Sequence, residues 1–456
     1  MTSKFSETLA RRLFQVSLAV VVLGGAFLAG VVAHWKDLAP VPQLRTAYQT
    51  LTSTEDSDLL QHPRRHHLQP TRGQGSGVTV NAGPDDGALV YMAGFFDEES
   101  QIRLIRRDGT LFRSWSLNYF DHFPDPATRV CDVATPLRVD SMGNYMNPQG
   151  EIVLNYSYCG SVKIDQCGNV LWRLSEPTHH PLIPAAAGGY WLMGRDVWPA
   201  SSDPDRFPPF STPGTETAIL EDTVLRVGED GEILEEYSIP ALMRENGLEA
   251  VLTANGEEFG WDRVLRAELV HANKITELSA ELADAFPLFA AGDLAISMRA
   301  HNFVMVIDPV TKEVKWSQMG PWLRQHDPEF RPDGRISIFN NNVYRTGYRA
   351  SQTLLETPFA TNIMAVDPVT GETEVVFGER PGQEMLSVIR GDHQLLPDDG
   401  MLITEFDAGR VLEVDAQGRI VWEYVNAYDA DFVGEITNAA IIPAGFVQAD
   451  WTTCEG

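Results

Sequence analysis

From residue 86 onward the apolar positions come in short extended runs, paired around polar turns. "RLIRRDGTLFRSW" ends at Trp115, "SVKIDQCGNVLWRL" holds Trp172 and "VLRVGEDGEILEEY" ends at Tyr237. "VMVIDPVTKEVKW" ends at Trp316, "IMAVDPVTGETEVVF" ends at Phe377 and "VLEVDAQGRIVWEY" holds Trp422. Each reads as a hairpin, because β-prone segments flank an Asp/Gly or Thr/Gly turn. A second hairpin phrase precedes most of them: "MNPQGEIVLNY", "AAAGGYWLMG", "FRPDGRISIFN" and "LLPDDGMLITEF". Two hairpins make four strands. Four-stranded units repeating about six times, at intervals of about 45–80 residues, predict an all-β fold, a six-bladed β-propeller. The recurring aromatic is expected to pack between blades, and "EITNAAIIPAGFVQADW" to supply a strand that closes the ring with the first blade. A β-sandwich array or two domains fits less well, since no linker separates the repeats.

The start of the chain has a different pattern. Lys4, Arg11 and Arg12 precede Val16 to Ala33, a run without charge and close to the minimum length of a membrane span. Positive flanks stay inside, which places the rest of the chain outside the cytoplasm. The expected organisation is a cytoplasmic tail over 1–13, a transmembrane signal anchor over 14–34, a linker over 35–84 and the propeller over 85–456. Cleavage at a weak Val31/Ala33 site is the alternative to an anchor. The expected location is the inner (cell) membrane, single-pass, with the propeller on the periplasmic or extracytoplasmic side. The polar stretch "QHPRRHHLQPTRGQGSG" reads as a tether, with His66 and His67 solvated in preference to the alternative of binding a metal.

Composition narrows the function. The formal net charge of −28 argues against a nucleic-acid backbone or an anionic lipid surface as partner. An anionic substrate would need a locally positive pocket. The four cysteines, Cys131, Cys159, Cys167 and Cys454, show no zinc spacing, so neither a metal nor a cofactor is expected. In an oxidising compartment Cys159 and Cys167 could close a short hairpin, although sequence leaves the connectivity open.

Histidines carry the candidate chemistry. His180, His271, His326 and His393 head successive repeats. The first strand of each propeller blade lines the central channel, so these positions are expected to converge at one end of it. A histidine cluster can bind a transition metal or do nucleophilic and acid–base work around an anion. Arg299 follows His271 within one repeat, and Asn273 lies two residues beyond His271 on the same strand face. A guanidinium suits sulfate or phosphate oxygens better than a metal cation. His393, beside Asp392, is the member most expected to tie a loop.

Three stretches, His271–Asn273, Ser297–Arg299 and Gln325–His326, resemble those of the bacterial arylsulfotransferases that do not use the activated nucleotide sulfate donor. The likeness extends as a repeat pattern over roughly residues 85–450. The resemblance implies a six-bladed propeller outside the cytoplasm, without a cofactor. It implies transfer of a sulfuryl group from an aryl sulfate to a phenol through a sulfohistidine. By the same resemblance His326 is the nucleophile, with His271 and Arg299 as catalytic partners that hold the sulfuryl oxygens together with Asn273, and His180 nearby. His180, Asn273 and His393 are the residues expected to bind substrate. Two departures stand out: "AELV" replaces an Asp-Trp-Thr-like stretch before His271, and the 25 residues between Asn273 and Arg299 make a long interval. The rival reading is a non-catalytic, membrane-tethered propeller that binds a ligand or protein partner.

Overall fold

The computed structural model describes residues 2–35, 63–84, 86–131, 133, 135–198, 219–254, 268–343 and 360–454. Residues 36–62 of the expected linker lie outside the described residues. Two compact units are present, Met1–Arg65 and His66–Gly456.

In the first unit one α-helix runs from Thr2 to Trp35, so the residues expected as a cytoplasmic tail continue the same helix as the apolar run. At about 1.5 Å per residue such a helix exceeds a bilayer core of about 30 Å. Its apolar stretch, Arg11–Leu28, is exposed throughout and is long and apolar enough to cross a membrane, as an anchor or as a signal sequence.

The second unit is a six-bladed β-propeller. The first blade is built from Ile436–Ile442, Leu89–Phe96, Glu99–Arg106 and Leu111–Ser116. The second comprises Ser141–Met146, Ile152–Tyr156, Gly160–Ile164 and Val170–Leu174. The third comprises His179–Pro184, Tyr190–Trp198, Ile219–Val227 and Ile233–Ser238. The fourth comprises Ala272–Glu277, Leu294–Met298, Phe303–Ile307 and Val314–Met319. The fifth comprises His326–Phe330, Ile336–Asn340, Asn362–Val366 and Thr373–Phe377. The sixth comprises Asp392–Leu395, Met401–Glu405, Arg410–Val414 and Ile420–Val425, with Gly77–Asn81 added outside. The ring therefore closes as the sequence predicts: Ile436–Ile442, near the C-terminus, pairs with Leu89–Phe96. Gly77–Asn81, from before the first blade, locks onto the last one.

The hydrophobic pattern explains this shape. The middle strands, such as Ile152–Tyr156 and Phe303–Ile307, are buried on both faces, so each sheet must be covered twice. Radial packing does this: six clusters of buried side chains fill the spaces between neighbouring blades. The outer turns are set by aspartates whose carboxylates accept backbone N–H groups, as Asp165 does from Cys167 and Asn169, and Asp415 from Gln417 and Arg419. The recurring aromatics reach the next blade's outer turn. Trp115 donates to the Gln166 carbonyl (3.1 Å), Trp172 to that of Glu229 (3.0 Å) and Trp422 to that of Arg107 (2.8 Å).

Two expectations are corrected. The disulfides are Cys131–Cys159 and Cys167–Cys454, not Cys159–Cys167, with Cα atoms 5.1 Å apart in each. Ring closure brings the C-terminus to the seam between the first two blades, where Trp451 packs edge-on to Phe112 and beside Trp115 of the first. Cys454 thereby meets Cys167, 287 residues earlier. Nor is His67 solvated. It is 1 % exposed, its Nε2–H donates to the Leu137 carbonyl, and its Nδ1 lies 2.9 Å from Glu435 of the closing segment. Residues 66–81 are part of the propeller.

The Cys167–Cys454 bond clamps the closing strand covalently. We expect Cys454→Ser to lower unfolding stability by about 2–5 kcal/mol, the usual range for loss of a native disulfide. Denaturant unfolding should show it, and reductant, which also opens Cys131–Cys159, should lower the parent chain by at least as much. Coincident curves for variant and parent would mean that strand pairing alone holds the ring shut.

Candidate active site

Each inner strand of the third, fourth and fifth blades is irregular at its head. The register shifts between His179 and Ile183, between Ala272 and Lys274, and between His326 and Pro328. Such bulges re-aim side chains. The left-handed backbone of His180 (φ 60°), His271 (φ 51°) and Asp327 (φ 53°) belongs to the same distortion. Non-glycine residues hold this conformation only at a cost, and it concentrates at functional sites. Gly143 of the second blade permits it, since a Cβ there would lie 2.3 Å from Pro181 Cα and 2.6 Å from the His180 carbonyl.

The three motif stretches meet. The His180 ring lies 5.2 Å from that of His271 and 6.5 Å from that of His326, centroid to centroid. Arg299 donates to His271 Nε2 at 2.9 Å. Gln325 is fully buried, and its amide nitrogen donates to Ser297 and to the Phe303 carbonyl. Asn273 in turn donates to the Gln325 carbonyl at 2.8 Å. Asn273 and Gln325 thus fix the backbone that presents His326. The long interval before Arg299 is a loop, 278–293, at the far end of the fourth blade.

Hydrogen bonds fix the tautomers. A guanidinium only donates, so His271 Nε2 is the acceptor and its Nδ1 carries the proton, 2.7 Å from Glu268. Asn341 uses its amide nitrogen on the carbonyls of Ser387 and Arg390, both at 2.8 Å. Its oxygen therefore faces His326 Nδ1, 2.7 Å away, which must be the protonated nitrogen. His326 Nε2 is left with the lone pair. With His179 neutral, its Nε2–H donates to the Gly194 carbonyl, its Nδ1 accepts from His180 Nδ1 at 2.6 Å, and His180 Nε2 also bears a lone pair.

Electrostatics keep the rings neutral. Burial, with the Arg299 guanidinium second, lowers the pKa of His326 to about 3. Burial and the neighbouring imidazoles push His180 well below the usual histidine range, and burial lowers His271 despite Glu268. Burial raises Glu268, but the His271 hydrogen bond and Arg195 bring it down to about 2. The arrangement leaves an unprotonated ring nitrogen on His326 next to a fixed positive charge.

His393 stands elsewhere. The sixth blade's inner strand pairs regularly with its neighbour from Asp392 onward, without a bulge. His393 consequently sits one position deeper than His326, between Ser337 (2.7 Å) and Asp327 (2.8 Å). Asp327 points away from the His326 ring, toward Lys274 at 2.5 Å and the His393 backbone N–H at 2.6 Å. Sequence reasoning did not single out Asn341, His179 or Glu268. Asn341 carries a signal in hindsight, since three asparagines in a row end a core strand. Among the described residues the one histidine–carboxylate group with metal-ligand spacing is His66, His67 and Asp140, outside this cluster.

A comparison with curated proteins found no match. Several solved structures align with this chain at low similarity. A Bacteroides caccae protein of unknown function is 15% identical with a TM-score of 0.43, covering 78% of this chain and 98% of that one. An inactive virginiamycin B lyase from Staphylococcus aureus with quinupristin is 12% identical with a TM-score of 0.39, covering 82% and 98%. BamB from Moraxella catarrhalis is 13% identical with a TM-score of 0.32, covering 82% and 88%. The arylsulfotransferase (ASST) family model matches residues 144–427, more than half of the sequence and from the second blade through the sixth. The protein is a member of the arylsulfotransferase (ASST) family.

Proposed function

We propose that this protein moves a sulfuryl group from an aryl sulfate to a phenol through a covalent intermediate on His326. The carrying observation is the Asn341 hydrogen bond, which holds the proton on Nδ1 and leaves Nε2 as the lone-pair nitrogen. The Nε2 lone pair attacks sulfur, an N–S bond forms, and the S–O bond to the aryl group breaks with its electron pair leaving on the phenolate. Arg299 offsets charge on the transferring oxygens and the departing phenolate. In the second half the acceptor phenol attacks the same sulfur, His326 departs, and His180 Nε2 takes the phenolic proton. Asn273 acts here through the backbone before His326, and His393 through Asp327. The propeller is proposed to work outside the cytoplasm, tethered by the N-terminal helix. Lys4, Arg11 and Arg12 before the apolar run and the two disulfides support that placement.

The test is incubation of the full chain with 4-nitrophenyl sulfate, with and without a phenol, following nitrophenolate release and the sulfated acceptor by mass. Sustained release that needs the phenol supports the transfer. Release at an equal rate without acceptor would make the protein a hydrolase. No release with any of several aryl sulfates would leave the tethered binding propeller.

The depressed His326 pKa also sets a pH dependence. Between 6.5 and about 3 the unfolded chain binds a proton that the folded site refuses. Stability contributed by this group is intact above 6.5 and falls as the pH falls through that window. Transfer, by contrast, should lose no rate to protonation of the nucleophile near 6.5. We expect the single-turnover rate to stay level from pH 8 to about 5, while the unfolding midpoint already declines. A rate that halves near pH 6.5 would show that His326 titrates as an ordinary histidine.

A further inference from the structure

The channel holds a second, larger space at the end away from the histidine cluster. It has a volume of about 740 Å³, within the range of about 300–1,000 Å³ typical of small-molecule sites. Its wall is apolar, with Met146, Leu282, Phe330, Leu395, Ile442 and Phe446. Its floor is ionic: Lys274 bridges Asp327 (2.5 Å) and Glu329 (3.2 Å), and Asp392 and His393 complete it. Lys274, Asp327 and Asp392 also line the small space beside His180 and His326, so this belt divides the channel in two.

Charge and hydrogen bonding at the floor do not balance. Three carboxylates face one ammonium. Burial, reinforced by the Asp327 charge, pushes the pKa of Asp392 up to about 6, and burial with the same carboxylate pushes Glu329 up to about 7 although Lys274 opposes it. In the same cavity Asn144, only 7% exposed, has neither its amide oxygen nor its nitrogen bonded to a partner among the described residues. The Tyr91 hydroxyl, on a residue 2% exposed, is in the same state. An unpaired buried amide costs free energy, and a ligand that brings donors relieves it. A second cation would also satisfy the surplus carboxylates, whereas an anion would meet them as like charges.

We propose that this far cavity binds an organic ammonium ion with an aromatic or aliphatic body. The ammonium sits on Asp392, Glu329 and the Asn144 oxygen, and the body lies against Phe330 and Leu395. The site is distinct from the sulfuryl-transfer cluster and stands whether or not that transfer occurs.

Calorimetric titration of the full chain in neutral detergent at pH 8, with three probes of one shape, tests it. The probes are 2-naphthylmethylammonium, 2-naphthylmethanol and 2-naphthoate. We expect the ammonium to bind at least about tenfold more tightly than the alcohol, as a charge-assisted contact provides, and the naphthoate most weakly. Asp392→Asn should erase the preference for the ammonium while the alcohol still binds. Leu282→Trp, which fills the mouth without touching the charges, should weaken both. His326→Asn should change neither. Equal binding of all three probes, tightest binding of the naphthoate, a preference that survives Asp392→Asn, or loss of binding in His326→Asn would each overturn the assignment.

Discussion

His326→Asn is expected to abolish both covalent capture and turnover. Exposed to an aryl sulfate without acceptor, the parent chain should gain about 80 Da, the mass of SO3, in the covalent intermediate that nucleophilic catalysis forms. Peptide mapping should place the gain on His326. Asparagine fills much of the same buried space but its amide nitrogen has no available lone pair, so the variant should show no adduct and lose about 10⁴-fold or more in rate. Asn341→Ala makes the complementary cut. It leaves the nucleophile in place but removes the acceptor that holds Nδ1–H at 2.7 Å. The adduct should still form on His326, only more slowly, because the ring can then turn or exchange tautomers. An adduct on His271 or His393 would move the nucleophile to another blade. Turnover by the parent no faster than by His326→Asn would end the enzymatic reading.

Much of this molecule is legible along the chain because propeller blades are local. Each outer hairpin lies within about fifteen residues, its Asp turn is a short-range device, and its aromatic marks the next interface. The closing strand is legible too, since a ring needs one and the tail carries an apolar extended run. Other features depend on distances that only closure creates. Cys454 and Cys167 are neighbours because the C-terminus crosses to the second blade. His67, in a polar and Pro-rich stretch, is buried by partners on Leu137 and Glu435 that lie 70 and 368 residues away. Register was the subtler obstacle. His326 and His393 look equivalent along the repeats, but a bulge heads one strand and regular pairing the other. One residue of slip carries a side chain to a different level of the channel. Asn341 escaped notice for a related reason, since nothing in a run of three asparagines says which one turns inward.

Arg299→Ala is expected to leave the fold intact and slow sulfuryl transfer by about 100- to 1000-fold, the usual cost of removing one charge-stabilising donor. Arg299 follows directly on the buried strand Leu294–Met298, and its backbone N–H bonds the His271 carbonyl at 3.0 Å, so truncation removes the guanidinium without loosening the strand. The loss should fall on kcat more than on KM, because charge on the sulfuryl oxygens and the leaving phenolate is greatest in the transition state. A second signature separates this role from mere packing. Arg299 is, after burial, the largest influence lowering the His326 pKa. Without it that pKa rises from about 3, so the acid limb of the single-turnover rate should move to higher pH. Arg299→Lys keeps a positive charge and should restore part of the rate and most of the acid limb, although an ammonium lacks the planar fork that meets two oxygens at once. A variant that transfers at the parent rate, or that slows with its acid limb unmoved, would take Arg299 out of the chemistry and leave it as a brace for His271.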